Sequence, residues 1–341
     1  MTVNLAVIGQ GAVSPAGIGV EALLHGQPQP IPLASLRAPE QTWPVLRVDQ
    51  KDPALARWQK EARLRRASPI TFFLVETAAQ ALAGLDPAAR AETGVIVAFS
   101  AGCLAYSRRF FEGIVRQGQK TASPALFPET VFNSPVSHVV SVLGLNGAAY
   151  ALVGDETAWV SALITASIWL RQERVRQVLV MGVEEFDPLV LDAYRSARWL
   201  RRQNSASGFV TSEGAGGILV RLAQAGDARV ITSARDGFIY RTKQQAAIAA
   251  EKLLHANEAN LPIFPTASRN WMAPIEAAAA TNILKPDLPY LGEAFTASAA
   301  WHTVRALGRL NADCPRLLLP IWGLNHQLGS LELAAEPTSA R

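Results

Sequence analysis

Asp155 and Glu156 stand side by side in "ALVGDETAWVSALITAS", between an apolar strand and an apolar run of helical character. Carboxylates at a helix start can accept from its free N–H groups, where the dipole favours negative charge. The remaining groups capable of chemistry are few: five histidines and two cysteines. His138, in the apolar stretch "SPVSHVVSVLG", reads as a packed or interface residue, and His25 and His255 read as surface residues. Cys103 and Cys314 are too few for a disulfide framework or a thiolate metal site, and read as free thiols.

The elements that must position these groups alternate. "VNLAVIG", "TGVIVAFSAG", "AAYALVG", "VRQVLVMGVEEF" and "GGILVRLA" read as buried strands, with helical stretches between most of them. A shorter series follows from "ARVITSARDG" to "GSLELAAE". Both series close on Gly followed by an apolar strand, a repeat signal that suggests two related α/β halves, 1–226 and 227–341. The 341 residues are 49% hydrophobic and only 18% charged, which favours a large core and an oligomer. A net charge of +4 without a run of like charges gives no reason to expect nucleic acid. The opening "MTVNLAVIGQG" lacks a signal peptide's basic region, and the apolar stretches break short of the ~18 residues of a membrane helix. A cytoplasmic chain with no membrane span is expected.

In order, "AVIGQGAVSPAGIG", "RRASPITFFLVETAAQALAGL", "GLNGAAYALVGDETAWVSAL", "VLVMGVEE", "GFVTSEGAGGILV", "PIEAAA", "LGEAFTASAAWHTVRAL" and "WGLNHQLGSLEL" occur along the chain. This order resembles the β-ketoacyl-acyl-carrier-protein synthases over nearly the whole length. The resemblance implies the thiolase fold: α/β, five layers αβαβα, two pseudo-repeated halves with mostly parallel mixed sheets. It also implies a cysteine at the N-terminus of a buried helix and two histidines. Here Glu156 occupies the cysteine position, Thr266 or Ala267 the first histidine position and Glu293 the second. The last loop replaces the family's Phe-Gly-Gly with Leu324, Asn325 and His326. No catalytic residue of the family kind is therefore expected, and no cofactor or metal.

A degenerate pocket of Asp155, Glu156, Arg269, Glu293, Leu324, Asn325 and His326 follows from the same alignment. Buried carboxylates need protons or a basic partner, for which Arg269 or His326 are candidates. Three uses of the pair stay open: capping the helix, a new acid/base site of Glu156 and Glu293 near His326, or a metal site of those three residues. His302 lies a helical stretch from the second histidine position and reads as no substitute for it. Glu213 matches a family glutamate that braces structure. Lys60, Arg63, Arg65, Arg66 and Lys120, extended by Arg201 and Arg202, read as a solvated face or a docking patch for an acyl carrier protein. The "FNSPVSHVVSVLGLNG" segment and the following strand correspond to a two-fold dimer interface in relatives. The resemblance thus implies an inactive subunit pairing with an active ketosynthase, as chain-length factors do in type II fatty acid, polyketide or aryl-polyene biosynthesis, as hetero- or homodimer. An accessory protein for type VI secretion effectors and an enzyme using Glu156 and Glu293 are the alternatives.

Overall fold

The computed structural model describes residues 1–201, 208–255, 261–268, 271–280, 282–285 and 287–335. Arg202, Arg269 and the side chain of His255 lie outside the described residues.

Up to residue 222 the strands are β1 (Thr2–Ser14), β2 (Gly17–Ile18), the small hairpin β3 (Ile31–Ala34) and β4 (Thr42–Val45), β5 (Thr93–Phe99), β6 (Ala149–Val153), β7 (Gln177–Glu184) and β8 (Gly214–Leu222). The α-helices between them are α1 (Val20–His25), α2 (Pro53–Gln59), α3 (Pro69–Ala81), α4 (Pro87–Ala91), α5 (Leu104–Gln117), α6 (Asn133–Leu143), α7 (Ala158–Arg171) and α8 (Pro188–Ser196). The chain then adds β9 (Val230–Ile239), α9 (Lys243–His255), α10 (Met272–Ala278), α11 (Thr296–Leu307), β10 (Arg316–Gly323) and β11 (Gln327–Ala334).

The main sheet runs β10–β11–β9–β1–β8–β7–β5–β6, with β2 on β1. It is mixed: β5 is parallel to β6 and β7, and the other ladders are antiparallel. β5 and β7 are buried at every residue, which explains their unbroken apolar sequences. β1 joins the two wings of the sheet through β8 on one side and β9 on the other.

α7 and α11 pack against each other and against strands of both wings. α7 buries Trp159, Val160, Leu163, Ala166 and Trp169, and α11 is buried from Thr296 to Val304 at nearly every residue. Helices apolar on all sides belong inside a protein, so these two form the middle layer. Their tryptophans also satisfy their polar ends: Trp159 Nε1 donates to Thr303 Oγ1 (2.8 Å) and Trp301 Nε1 to the Ala215 carbonyl (2.9 Å). Each fully buried large side chain stabilises the fold by roughly 1.5–3 kcal/mol. α3 and α6 cover the outer face of the first wing, and α9 and α10 flank the second. Gly182 lets α11 approach this closely, because a Cβ there would stand 2.1 Å from the Thr296 carbonyl oxygen.

Candidate functional site

β6 and α7 are separated by Gly154, Asp155, Glu156 and Thr157, so both carboxylates sit at the inner mouth of the central helix. Asp155 is 2% exposed and Glu156 6%. Only part of their hydrogen bonding serves the helix. Asp155 Oδ1 accepts from the Thr157 N–H (3.0 Å) and hydroxyl (2.6 Å), the local turn expected of Asp at a helix start. Asp155 Oδ2 accepts from the Asn325 N–H (2.9 Å) and Glu156 Oε2 from the Leu324 N–H (2.7 Å). The pair therefore holds the β10–β11 turn. A Cβ on Gly323 would meet the Asp155 carboxylate at 2.3 Å, so only glycine permits this contact. Leu324 packs with Phe186, Tyr194, Phe209 and Phe295, which fixes the turn from its other side.

Glu293 is 4% exposed and precedes α11. Its Oε1 accepts from the Phe295 N–H at 2.8 Å, and its backbone joins Val210 and Ser212. Phe295 has φ 45°, a left-handed conformation rare outside glycine. The Glu293 contact and the aromatic cluster hold it there.

A pocket of about 10 Å³ is lined by Glu156, Glu293, Thr266, Ser268, Ser298 and His302, closed by Ala299, Ile321 and Trp322. Burial, then the carboxylates of Glu293 and Asp155, push the Glu156 carboxyl well above the usual carboxylate range. A protonated carboxyl is a poor nucleophile. The Thr157 and Leu324 N–H groups, which could face an oxyanion, are already turned onto carboxylates.

His302 is the member that sequence reasoning set aside. It stands four residues after Ser298 on α11, on one helix face, and that spacing turns both toward the pocket. Burial and the nearby Arg305 push His302 down to about 3, so it is a neutral imidazole. Its Nδ1 is buried without a partner among the described residues. Thr266 is fixed by its N–H to Glu276 (3.1 Å) and its hydroxyl to the Pro320 carbonyl (2.6 Å), and Ala267 packs near Tyr240 and Met272. His326 does not face the carboxylates. It is exposed, its ring lies tilted on Tyr240 with centroids 5.5 Å apart, and its carbonyl accepts from the Tyr240 N–H. Its positive φ of 64° belongs to the tight turn, which aims the side chain outward. Among the described residues no three His, Cys, Asp or Glu side chains are grouped to hold a metal.

Neither cysteine stands at the α7 mouth. Cys103 precedes α5, points its Sγ at the Val131 carbonyl (3.7 Å), and is pushed up to about 12 by burial and Glu185. Cys314 lies near the Arg316 carbonyl. His138 pairs with Glu129 at 3.0 Å. Glu213 accepts from Arg47 Nε (2.5 Å) and from the Val48 and Phe186 N–H groups, joining three segments.

Lys60, Arg63, Arg65, Arg66 and Lys120 are all exposed. Arg65 and Arg66 line one surface concavity with Arg109 and Tyr106. Arg63 instead bonds Glu61 and the Ser141 carbonyl, and Arg201 stacks over Tyr290. Among the described residues no helix is long and apolar enough to cross a membrane.

Known structures share this architecture. The ishigamide ketosynthase/chain length factor superposes with TM-score 0.80 at 18% identity, over 97% of this chain and 99% of that one. A type II polyketide ketosynthase, AntDE, solved with its acyl-carrier protein AntF and bound to the hexaketide, gives TM-score 0.76 at 17% identity, over 98% and 100%. A beta-ketoacyl synthase from Burkholderia phymatum STM815 gives TM-score 0.76 at 14% identity, over 99% and 100%. The fold is thus the thiolase-like α/β fold of the ketosynthases. Residues 33–225, more than half of the chain, match the Beta-ketoacyl synthase, N-terminal domain profile. The chain belongs to the beta-ketoacyl synthase family. No curated protein matches it closely enough to count as a relative.

Proposed function

We propose that this chain is a non-condensing ketosynthase-like subunit that pairs with an active ketosynthase in a type II fatty acid, polyketide or aryl-polyene pathway. One observation carries the reading: the position expected to hold the nucleophile holds a buried Glu156 that grips the closing turn through the Leu324 N–H. A carboxyl so used, with Glu293 and Asp155 beside it, offers neither a thiolate nor an open oxyanion site.

The pairing part rests on β6. It forms the end of the main sheet, and its sequence, AYALV, carries no charge and no proline. Exposed edges are normally blunted by such residues, so a bare one suits a partner strand. Tyr150 and Val153 stand 47% and 58% exposed on it. The resemblance to a ketosynthase/chain length factor and to a ketosynthase solved with its carrier protein supports the choice of partners. Arg65, Arg66 and Arg109 would meet the acidic carrier protein.

The test is reconstitution. The chain is co-expressed with each ketosynthase from its own genome, and complexes are isolated and supplied with malonyl carrier protein. The expected result is a stable complex that condenses, with product length changed when this chain is omitted. Condensation by this chain alone would overturn the reading.

A further inference from the structure

Beside the small carboxylate pocket lies a larger cavity of about 240 Å³, between α11 and the segments 264–268 and 288–292. The two cavities share Thr266, Ser268, Ser298 and His302, but Glu156 and Glu293 line only the smaller. The walls of the larger one are apolar on one side: Phe264, Leu288, Leu291 and Trp301. Its polar groups come from one face of α11, at Ser298, His302 and Arg305.

These groups are short of acceptors. Arg305 is 5% exposed, and no carboxylate lies within ion-pair distance among the described residues. Its Nε and Nη2 donate to the Leu23 carbonyl (3.3 and 3.0 Å) and Nη2 also to that of Pro289 (2.8 Å). Its Nη1 has no protein acceptor among the described residues. Ser298 Oγ accepts from the Ala294 N–H (2.8 Å), which leaves its hydroxyl proton free to donate. His302 Nδ1 is buried and unpartnered. A buried cation without a counter-ion is costly, and desolvation already lowers Arg305 to about 10.

We propose that this cavity binds a small organic monocarboxylate, with its carboxylate against Arg305, Ser298 and His302 and its apolar tail against Phe264, Leu288 and Trp301. A carboxylate is acceptor-only when ionised, and matches a donor-rich site on an apolar wall. The volume lies below the ~300–1,000 Å³ of drug-sized sites, so the ligand is small. The site adjoins the carboxylate pocket through Thr266, Ser268, Ser298 and His302, but neither Glu156 nor Glu293 lines it, and the binding test needs neither a partner nor turnover.

Benzoate is the probe, with benzamide as its neutral match, titrated onto the full chain by calorimetry and followed at the His302 ring resonance by NMR. Benzoate is expected to bind saturably, about tenfold or more tighter than benzamide, because only the anion gains the charge-assisted bonds. It is also expected to shift the His302 resonance. Arg305→Gln should abolish the preference for the anion, and Ser298→Ala should weaken benzoate about threefold to tenfold. Equal affinity for benzamide, or no benzoate binding at millimolar concentration, overturns the assignment. Should Arg305→Gln fail to fold, Ser298→Ala and the His302 signal decide: unchanged affinity with an unmoved resonance overturns it equally.

Discussion

The two sides of β6 have opposite characters. Where the strand runs into α7, Asp155 and Glu156 are 2% and 6% exposed and grip the Gly323–His326 turn. Along its free edge, Tyr150 and Val153 are open. Phe111, Val115 and Phe127, on and beside α5, are also exposed, at 61%, 83% and 55%. One region spends carboxylates to close an internal mouth, and the other leaves apolar side chains uncovered. In a member of the beta-ketoacyl synthase family, the contrast is what the proposed reading expects: carboxylates and a turn at the mouth of the central helix, and an open edge for a partner.

Four substitutions test that contrast. On the open side, Val153→Asp places a charge on the apolar edge. It should weaken pairing more than about a hundredfold, near 3 kcal/mol, while changing stability of the isolated chain by under about 0.5 kcal/mol. Sedimentation with the proposed partner ketosynthase measures the first and urea unfolding the second; undiminished pairing would remove β6 from the interface. On the closed side, Gly323→Ala drives a methyl into the Asp155 carboxylate and should cost about 2 kcal/mol. The double variant with Asp155→Gly should recover part of that loss, and a strictly additive cycle would deny the contact. Asp155→Ala removes acceptors from Thr157 and Asn325 and should cost about 1–2 kcal/mol, with faster amide exchange at Asn325. Slow exchange there would mean that the turn is held by packing alone.

The smallest effect is a pH dependence. An unfolded Glu156 ionises near 4.5, whereas burial keeps the folded carboxyl protonated to higher pH. Above pH 4.5 the folded state therefore binds more protons than the unfolded state, and stability falls as pH rises. Glu184, Glu185 and Glu276, raised to about 7, 8 and 7, act in the same sense, so the comparison is between variant and parent. Glu156→Gln keeps an acceptor for Leu324 and should unfold later than the parent at pH 8 but not at pH 4, by about 1 kcal/mol. Parallel stability curves would show an ordinary Glu156.

The fold was legible in the sequence because buried strands and all-apolar helices leave long, unambiguous patterns: "VLVMGVEE" and "AWVSALITASIWL" are a buried strand and the middle-layer helix. The closeness of Glu156 and Glu293 followed from aligned motifs, and both line one pocket. What escaped was side-chain direction. His326 looked like a partner for the carboxylates, but a tight turn with φ 64° faces it outward. His302 looked remote when counted along the chain, yet the helical step from Ser298 brings it in. The role of the acidic pair was half legible: helix capping explains the bond to Thr157, but the bonds to Leu324 and Asn325 cross 168 and 170 residues, which local pattern cannot show.

The central claim is that carboxylates hold the nucleophile position shut. Intact-mass spectrometry of the purified chain after incubation with acyl and malonyl carrier protein tests it most directly. An unchanged mass, with an active ketosynthase labelled alongside, is the predicted result. An acyl adduct mapped to Glu156, Cys103 or Cys314 would contradict it.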